Sequence, residues 1–82
     1  MRELWYFSAD WCGPCKMFGP VMDQASSQGM RVKKLNVDYE ADVSNKYGVR
    51  SIPTVILVEN GQEINRFVGP KDINFIKEFY NG

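Results

Sequence analysis

The chain has 82 residues, which suits one small domain, and we expect residues 1–82 to fold as a single unit. Its ten basic and ten acidic side chains cancel, so no charge excess indicates binding to nucleic acid or to a membrane surface. Histidine is absent and cysteine occurs only twice, which excludes Cys–His catalysis, Ser–His–Asp catalysis and mixed Cys/His metal sites, so we expect no metal.

Hydrophobic periodicity and turn residues predict seven elements in the order β-α-β-α-β-β-α. The first strand is a short apolar block, and the helix after it begins at Gly13 or Pro14, because proline suits the first turn of a helix. An uninterrupted apolar run makes the third strand central, and Asn60-Gly61 predicts a hairpin into the fourth. The expected spans are 3–7, 13–28, 31–37, 40–47, 54–59, 63–68 and 72–81.

This order predicts an α/β fold. A crossover helix makes the first two strands parallel, and the hairpin makes the last two antiparallel. We therefore expect a four-stranded mixed sheet with helices on both faces. In the second helix, Tyr39, Val43 and Tyr47 lie one turn apart and are expected to share a face.

The two cysteines, Cys12 and Cys15, stand where the first strand ends and the first helix begins. Unpaired N–H groups and the positive end of the helix dipole lie beside the Cys12 sulfur, and both favour the thiolate. Cys15, one turn further along, is expected to be more buried and less reactive. Carboxyl ends of strands are where α/β sheets place their sites.

A bridge between residues so close in sequence closes too small a loop to stabilise the fold much. The pair therefore predicts dithiol–disulfide exchange, in which Cys12 attacks a substrate disulfide and Cys15 then resolves the mixed disulfide. Gly13 and Pro14, between the two sulfurs, are expected to tune their redox chemistry. The alternative is an inert bridge or two buried thiols.

Several segments resemble the thioredoxin family, and together they cover nearly the whole chain. They are residues 7–16 (FSADWCGPCK), Pro20, residues 34–38, 47–49 and 52–54, Asn60-Gly61 and Gly69. The resemblance begins at the family's second strand, so we expect a compact member that lacks the usual N-terminal strand and helix. The second strand then lies at an exposed sheet edge, where Arg31, Lys33 and Lys34 are residues of the type that blunts an edge.

The resemblance implies a protein disulfide reductase with no bound cofactor, whose substrates are disulfide-containing proteins. Its electrons would come from NADPH through a thioredoxin reductase. It also implies a cis Pro53 facing the cysteines, an Ile52 backbone that pairs with an extended substrate, and Trp11 as an apolar collar beside the nucleophile. Three alternatives remain open: a glutaredoxin-like protein that uses glutathione, a thioredoxin-fold binding subunit without redox activity, and a metal or cluster site that Cys12 and Cys15 share across a dimer.

One residue departs from the family pattern. Tyr6 stands where thioredoxins usually have a buried aspartate beneath the resolving cysteine, and an unperturbed phenol ionises only near pH ~10. Lys34 either is a surface lysine or lies near Tyr6, where its ammonium would favour the phenolate or orient the hydroxyl. We hypothesise that the proton of Cys15 passes through Tyr6 or through water that Tyr6 orders, while Asp10, beside the site, is expected to be solvated.

Strand-like residues begin at once, and no apolar run approaches the length of a membrane span. We therefore expect neither a signal peptide nor a membrane anchor. The expected protein is a cytoplasmic monomer.

Overall fold

The computed structural model describes the whole chain, residues 1–82. The expected order of elements is confirmed, and every bound lies within a single residue of its expected position. The elements are β1 (Arg2–Ser8), α1 (Gly13–Ser27), β2 (Val32–Asn36), α2 (Ala41–Lys46), β3 (Thr54–Glu59), β4 (Gln62–Val68) and α3 (Ile73–Asn81).

The four strands form one mixed sheet in the order β2-β1-β3-β4. β1 runs parallel to β2 and antiparallel to β3, and β3 pairs antiparallel with β4. In this register Phe7, near the end of β1, lies opposite Thr54, the first residue of β3. The loop that enters α1 and the loop that enters β3 therefore meet at the same end of the two central strands.

Both faces of the sheet are covered, as expected. α1 and α3 pack on one face, where Phe18, Met22 and Ile76 lie in the larger apolar cluster with side chains of β1 and β3. α2 packs on the other face through Val43 and Tyr47. Alternation along the strands sends successive side chains to these two clusters, which explains why residues 55–58 of β3 are all apolar.

The expected face of the second helix is only partly correct. Val43 and Tyr47 pack against the core, but the side chain of Tyr39 is 79% exposed. The reason is that α2 begins at Ala41, so Tyr39 belongs to the preceding turn and does not follow the helical period. Trp5 is half-buried, with its ring edge-on to that of Tyr47 at 5.3 Å between centroids.

The turns form as their residues predict. Asn60 and Gly61 have φ angles of 53° and 84°, which the two-residue hairpin between β3 and β4 requires. β2 lies at one edge of the sheet with Lys33 and Lys34 exposed. None of the helices is long and apolar enough to cross a membrane.

Candidate active site

The two cysteines are joined by a disulfide at the start of α1. Cys12 has extended backbone angles and caps the helix, since its Sγ accepts a hydrogen bond of 3.2 Å from the N–H of Cys15. Gly13 and Pro14 form the exposed first positions of α1 between them. This geometry puts the positive end of the helix at the sulfur of Cys12, as the sequence predicts.

The expected difference in burial between the cysteines is absent. Cys12 is 4% and Cys15 is 6% exposed. The bond holds both sulfurs in one small apolar cluster with Ala9, against which Val37 and Ile52 pack. In this oxidised form the two sulfurs are therefore distinguished by their place on the helix and not by their exposure.

The loop that leads into β3 supplies the apolar wall of the site. Ile52 packs against the cysteine cluster, and the Ile52–Pro53 peptide bond is cis, as the resemblance implies. Pro53 is buried, and its carbonyl accepts a hydrogen bond of 2.9 Å from the N–H of Gly69. Exposed Arg50 stands at the rim of the same loop.

Trp11 presents its ring to solvent beside the disulfide. Its side chain is 68% exposed, and its Nε1 donates a hydrogen bond of 2.9 Å to Oδ2 of Asp38. Asn36 links the loops on either side, because its Oδ1 accepts from the N–H of Asp38 and its Nδ2 donates to Asp10 at 3.4 Å. The large exposed ring is thus held at a fixed place on the rim.

Tyr6 lies beneath Cys15 and is 3% exposed. Its hydroxyl donates a hydrogen bond of 3.2 Å to the backbone carbonyl of Cys15. Burial raises the pKa of Tyr6 above the ordinary phenol value, a hydrogen bond with the Ser8 side chain lowers it, and the charge of Asp23 raises it further. Tyr6 is therefore a neutral donor near neutral pH, not a phenolate.

Lys34 is the register partner of Tyr6 across the β1–β2 pair, but its ammonium does not favour a phenolate. Its Nζ pairs with Oδ1 of Asp23 on α1 at 2.5 Å. Both side chains are more than half exposed. Of the two alternatives for Lys34, the geometry favours the surface lysine, because its ammonium pairs with a carboxylate on the neighbouring helix.

Behind Cys15 lies an open cavity of about 370 Å³ that the sequence did not predict. It is lined by Tyr6, Ser8, Ala9, Asp10, Cys15, Lys16, Gly19, Pro20, Asp23 and Lys34. The structure thus places Cys12, Trp11 and Ile52 on one side of the site and Tyr6 and Lys34 in the cavity on the other. Cys15 lies between them and contributes to both. Gly19 and Asp23 were missed; the signal for them is their spacing of four and eight residues from Cys15 along one helix.

The site has no group of acidic, histidine or cysteine side chains that could hold a metal ion. Its redox centre is the disulfide of the chain's own cysteines, capping a helix at the edge of a mixed sheet. These features define the class of α/β proteins that exchange electrons through a Cys-x-x-Cys pair.

Comparison with known proteins agrees with this class. The family model described as thioredoxin matches residues 2–81. A thioredoxin of Rickettsia conorii is 40% identical over 78 residues, which cover 92% of this chain and 74% of the relative. A thioredoxin of Chlamydia caviae is 46% identical over 68 residues, which cover 80% of this chain and 67% of the relative.

Among solved structures, a mutant thioredoxin from Halobacterium salinarum superposes with a TM-score of 0.92 at 36% identity, over 98% of this chain and 72% of the other. The chain belongs to the thioredoxin family. It is a thiol–disulfide oxidoreductase, and its activity is the reduction of disulfides through the Cys12–Cys15 pair.

Proposed function

We propose that Cys12 is the attacking thiol and Cys15 the resolving thiol of a general protein disulfide reductase. The observation that carries this assignment is the place of Cys12 at the N-cap of α1, where its sulfur accepts the N–H of Cys15. After reduction of the pair, the same N–H and the helix dipole stabilise a thiolate at Cys12. Cys15 lies within the helix, without that advantage.

The reaction runs in two exchanges. The Cys12 thiolate attacks one sulfur of the substrate disulfide, and the other sulfur leaves with the electron pair of the broken bond. Cys15 then loses its proton and attacks Cys12, which forms the Cys12–Cys15 disulfide and releases the second substrate thiolate. Two cysteines are oxidised by two electrons and the substrate disulfide is reduced by two.

Substrate binding is assigned to Trp11, Ile52 and Pro53. The exposed ring of Trp11 supports this role, because it offers a large apolar contact beside the sulfur. Ile52 packs against the cysteines and is half-buried, so an extended segment lying along it would reach the disulfide. Gly13 and Pro14, exposed between the cysteines, tune the pair and let the substrate approach it closely.

Tyr6 and Lys34 are positioning residues in this proposal. Tyr6 holds the backbone of Cys15 through its carbonyl, which keeps the first turn of α1 in place. Lys34 acts on the site only through Asp23, its partner at 2.5 Å. The proton of Cys15 does not pass to Tyr6, whose hydroxyl proton is already engaged.

The electron donor is a thioredoxin reductase that uses NADPH, and the substrates are disulfide-containing proteins. Membership of the family supports a reductase and substrate proteins as partners. A monomer in the cytoplasm fits this cycle, because a pair that must be re-reduced after each turnover needs a reducing compartment.

An insulin reduction assay with two electron supplies tests the proposal. We expect turnover with NADPH and thioredoxin reductase, and little with glutathione and glutathione reductase. The reverse preference would make the protein glutaredoxin-like, and turnover with neither would leave a binding subunit.

Two variants test the roles of the thiols in the same assay. Cys12→Ser is expected to abolish turnover without forming any adduct. Cys15→Ser is expected to accumulate a covalent adduct with insulin, visible on non-reducing gels. An adduct that forms through Cys15 in the Cys12→Ser variant would contradict the order of attack.

A further inference from the structure

The cavity behind Cys15 is built by one row of α1. Cys15, Gly19 and Asp23 are spaced by four residues and lie along the same side of the helix. Gly19 has no side chain, and a Cβ there would meet no atom within 4 Å. The row therefore has a gap between the thiol and the carboxylate, and the cavity fills this gap.

The cavity suits water. Its volume of about 370 Å³ is far more than one water molecule needs, and its walls carry hydroxyl, ammonium and carboxylate groups. Pro20, also in the wall, has no N–H to donate, so the carbonyl of Lys16 one turn earlier lacks its usual partner in the helix. Cys15 is thus connected to solvent by a polar path that Cys12, which is not among the lining residues, does not share.

We propose that Asp23 is the acid–base group of the resolving step, taking the proton of Cys15 through water in this cavity. The proposal rests on the assignment of Cys15 as the resolving thiol. Eight residues of helix separate the two side chains by about 12 Å along the axis, so the transfer needs water between them.

The step balances without a further reactant. The S–H bond of Cys15 breaks as its sulfur attacks Cys12, and the proton moves along the water to the Asp23 carboxylate. The new bond joins Cys12 and Cys15, and the electron pair of the broken mixed disulfide leaves on the substrate sulfur. Asp23 then returns the proton to bulk solvent, since its side chain is 60% exposed.

The charged and titratable groups around the cavity favour Asp23 for this task. They are Tyr6 on β1, Lys34 on β2, Lys16 on α1 and Asp10 in the loop before α1, besides Cys15 itself. Burial and the charge of Asp23 raise the pKa of Tyr6, so the phenol is a poor proton acceptor near neutral pH. Asp10 is hydrogen-bonded to Asn36, outside the row on α1 that holds Cys15.

The ion pair with Lys34 fixes the position of the Asp23 carboxylate. Lys34 reaches from the edge strand to Oδ1 at 2.5 Å, which holds the carboxylate in the wall of the cavity. The carboxylate is therefore held beside the water path, where it can act as a base.

Asp23 could act in two ways, and the two predict opposite changes in the rate of the resolving step when its carboxylate is removed. A carboxylate that acted only through its field would disfavour a thiolate at Cys15, so its removal would speed the resolving step. A carboxylate that accepts the proton through water speeds this step, so its removal would slow it.

Stopped-flow reduction of an aromatic disulfide separates the two exchanges. The first coloured thiolate is released when Cys12 attacks, and the second when Cys15 resolves the mixed disulfide. Both phases are measured for the full chain between pH ~5 and ~9, where carboxylate and thiol groups titrate. Thermal unfolding followed by circular dichroism checks that each variant is folded.

For Asp23→Asn we expect a second phase that is about 10-fold slower at neutral pH, below the usual range for a directly placed base because water intervenes. The first phase is expected to stay unchanged. Gly19→Val, which puts a branched side chain into the gap, is expected to slow the second phase as well. Asp42→Asn, at an exposed carboxylate on α2 that does not line the cavity, is the matched control and is expected to leave both phases as in the original chain.

A second phase that is unchanged or faster in Asp23→Asn would overturn the proposal, and so would an equal loss in Asp42→Asn. An unaffected Gly19→Val would overturn the path through the cavity. If the original chain showed no second phase at all, the fault would lie in the assignment of Cys15 and not in Asp23.

Discussion

A single hydroxyl shows how this chain organises its site without a buried acid. The hydroxyl of Tyr6 donates its hydrogen bond to the backbone carbonyl of Cys15 and not to the thiol. The family's usual aspartate would be a buried charge at this position, whereas the phenol is neutral and, although buried, makes a hydrogen bond. The same residue therefore stabilises the first turn of α1 and leaves the acid–base chemistry to another group.

Replacing this tyrosine tests its ionisation. Because the pKa of Tyr6 in the folded chain lies above the ordinary value of 10.0, the unfolded chain releases this proton first as the pH rises. The contribution is fully present below pH 10.0 and is lost as the pH rises through the folded-state pKa. Tyr6→Phe is expected to unfold with about 1 kcal/mol less free energy at neutral pH, since one hydrogen bond is lost.

The difference between Tyr6→Phe and the original chain is expected to narrow above pH 10.0, because only the original chain loses this contribution. Urea unfolding at neutral and alkaline pH measures it. A gap that stays constant over the whole range would contradict the burial of an un-ionised phenol.

Trp11 is expected to act on substrates and not on stability. Because its side chain is 68% exposed, Trp11→Ala should change the free energy of unfolding by less than about 0.5 kcal/mol. The KM for a protein disulfide should rise several-fold, while the rate with a small aromatic disulfide stays near that of the original chain. Equal losses with both substrates would show that Trp11 tunes the thiol and does not bind the partner.

At the scale of elements, the two long helices start on different kinds of cap. α1 starts on the sulfur of Cys12, whereas α3 starts on Asp72, whose Oδ1 accepts from the N–H of Phe75 at 2.8 Å. The first cap is a reacting group and changes during turnover. The second cap is inert, and α3 carries Ile76 into the core beside α1.

The cap of α3 gives a prediction on stability alone. Asp72→Ala should lower the free energy of unfolding by about 1 kcal/mol, because an N–H at the helix start loses its partner. Asp72→Asn, which keeps an accepting oxygen, is the control and should lie within a few tenths of the original value. Denaturant unfolding checks both, and rates of disulfide reduction should not change in either; an equal loss in both variants would contradict the capping role.

Periodicity predicted the elements because burial of one face is a local property of the sequence. Val43 and Tyr47 follow the helical period, and Tyr39 was misplaced since it lies two residues before α2 begins. The ion pair between Lys34 and Asp23 joins a strand and a helix, so it depends on the distance between them and on side-chain rotamers. Such features need the packed structure and cannot be read from the spacing of apolar residues.

The sequence likewise predicted some features of the site and missed others. The Cys12–Cys15 pair follows from its motif and from the strand before it, and the resemblance added the cis Pro53. The cavity was not predicted, because it forms where Gly19 has no side chain to fill the space. Equal burial of the two cysteines was missed as well, since their bond places both sulfurs in one apolar cluster.

The whole molecule is a sheet whose two faces are covered and whose β2 edge is open. Arg31 and Lys33 are exposed along this edge. The ammonium of Lys33 lies 5.1 Å from the ring of Trp5. Positive charges on an edge strand oppose pairing with a second copy, which would bring the same charges together.

Removing these charges should promote self-association. The double variant Arg31→Thr, Lys33→Val is expected to elute earlier from a sizing column as its concentration rises, whereas the original chain should elute as a monomer throughout. Lys77→Val, at an exposed position of α3, is the control and should behave as the original chain. Identical elution of the double variant and the control would show that these edge charges do not keep copies apart.

The hairpin at Asn60 and Gly61 has a practical consequence, because it lies at the far end of β3 from the loop that packs against the disulfide. The six residues of β3 put about 20 Å between them. A tether joined to this turn, for example to immobilise the protein on an electrode, would leave the sulfurs pointing away from the support and open to large partners.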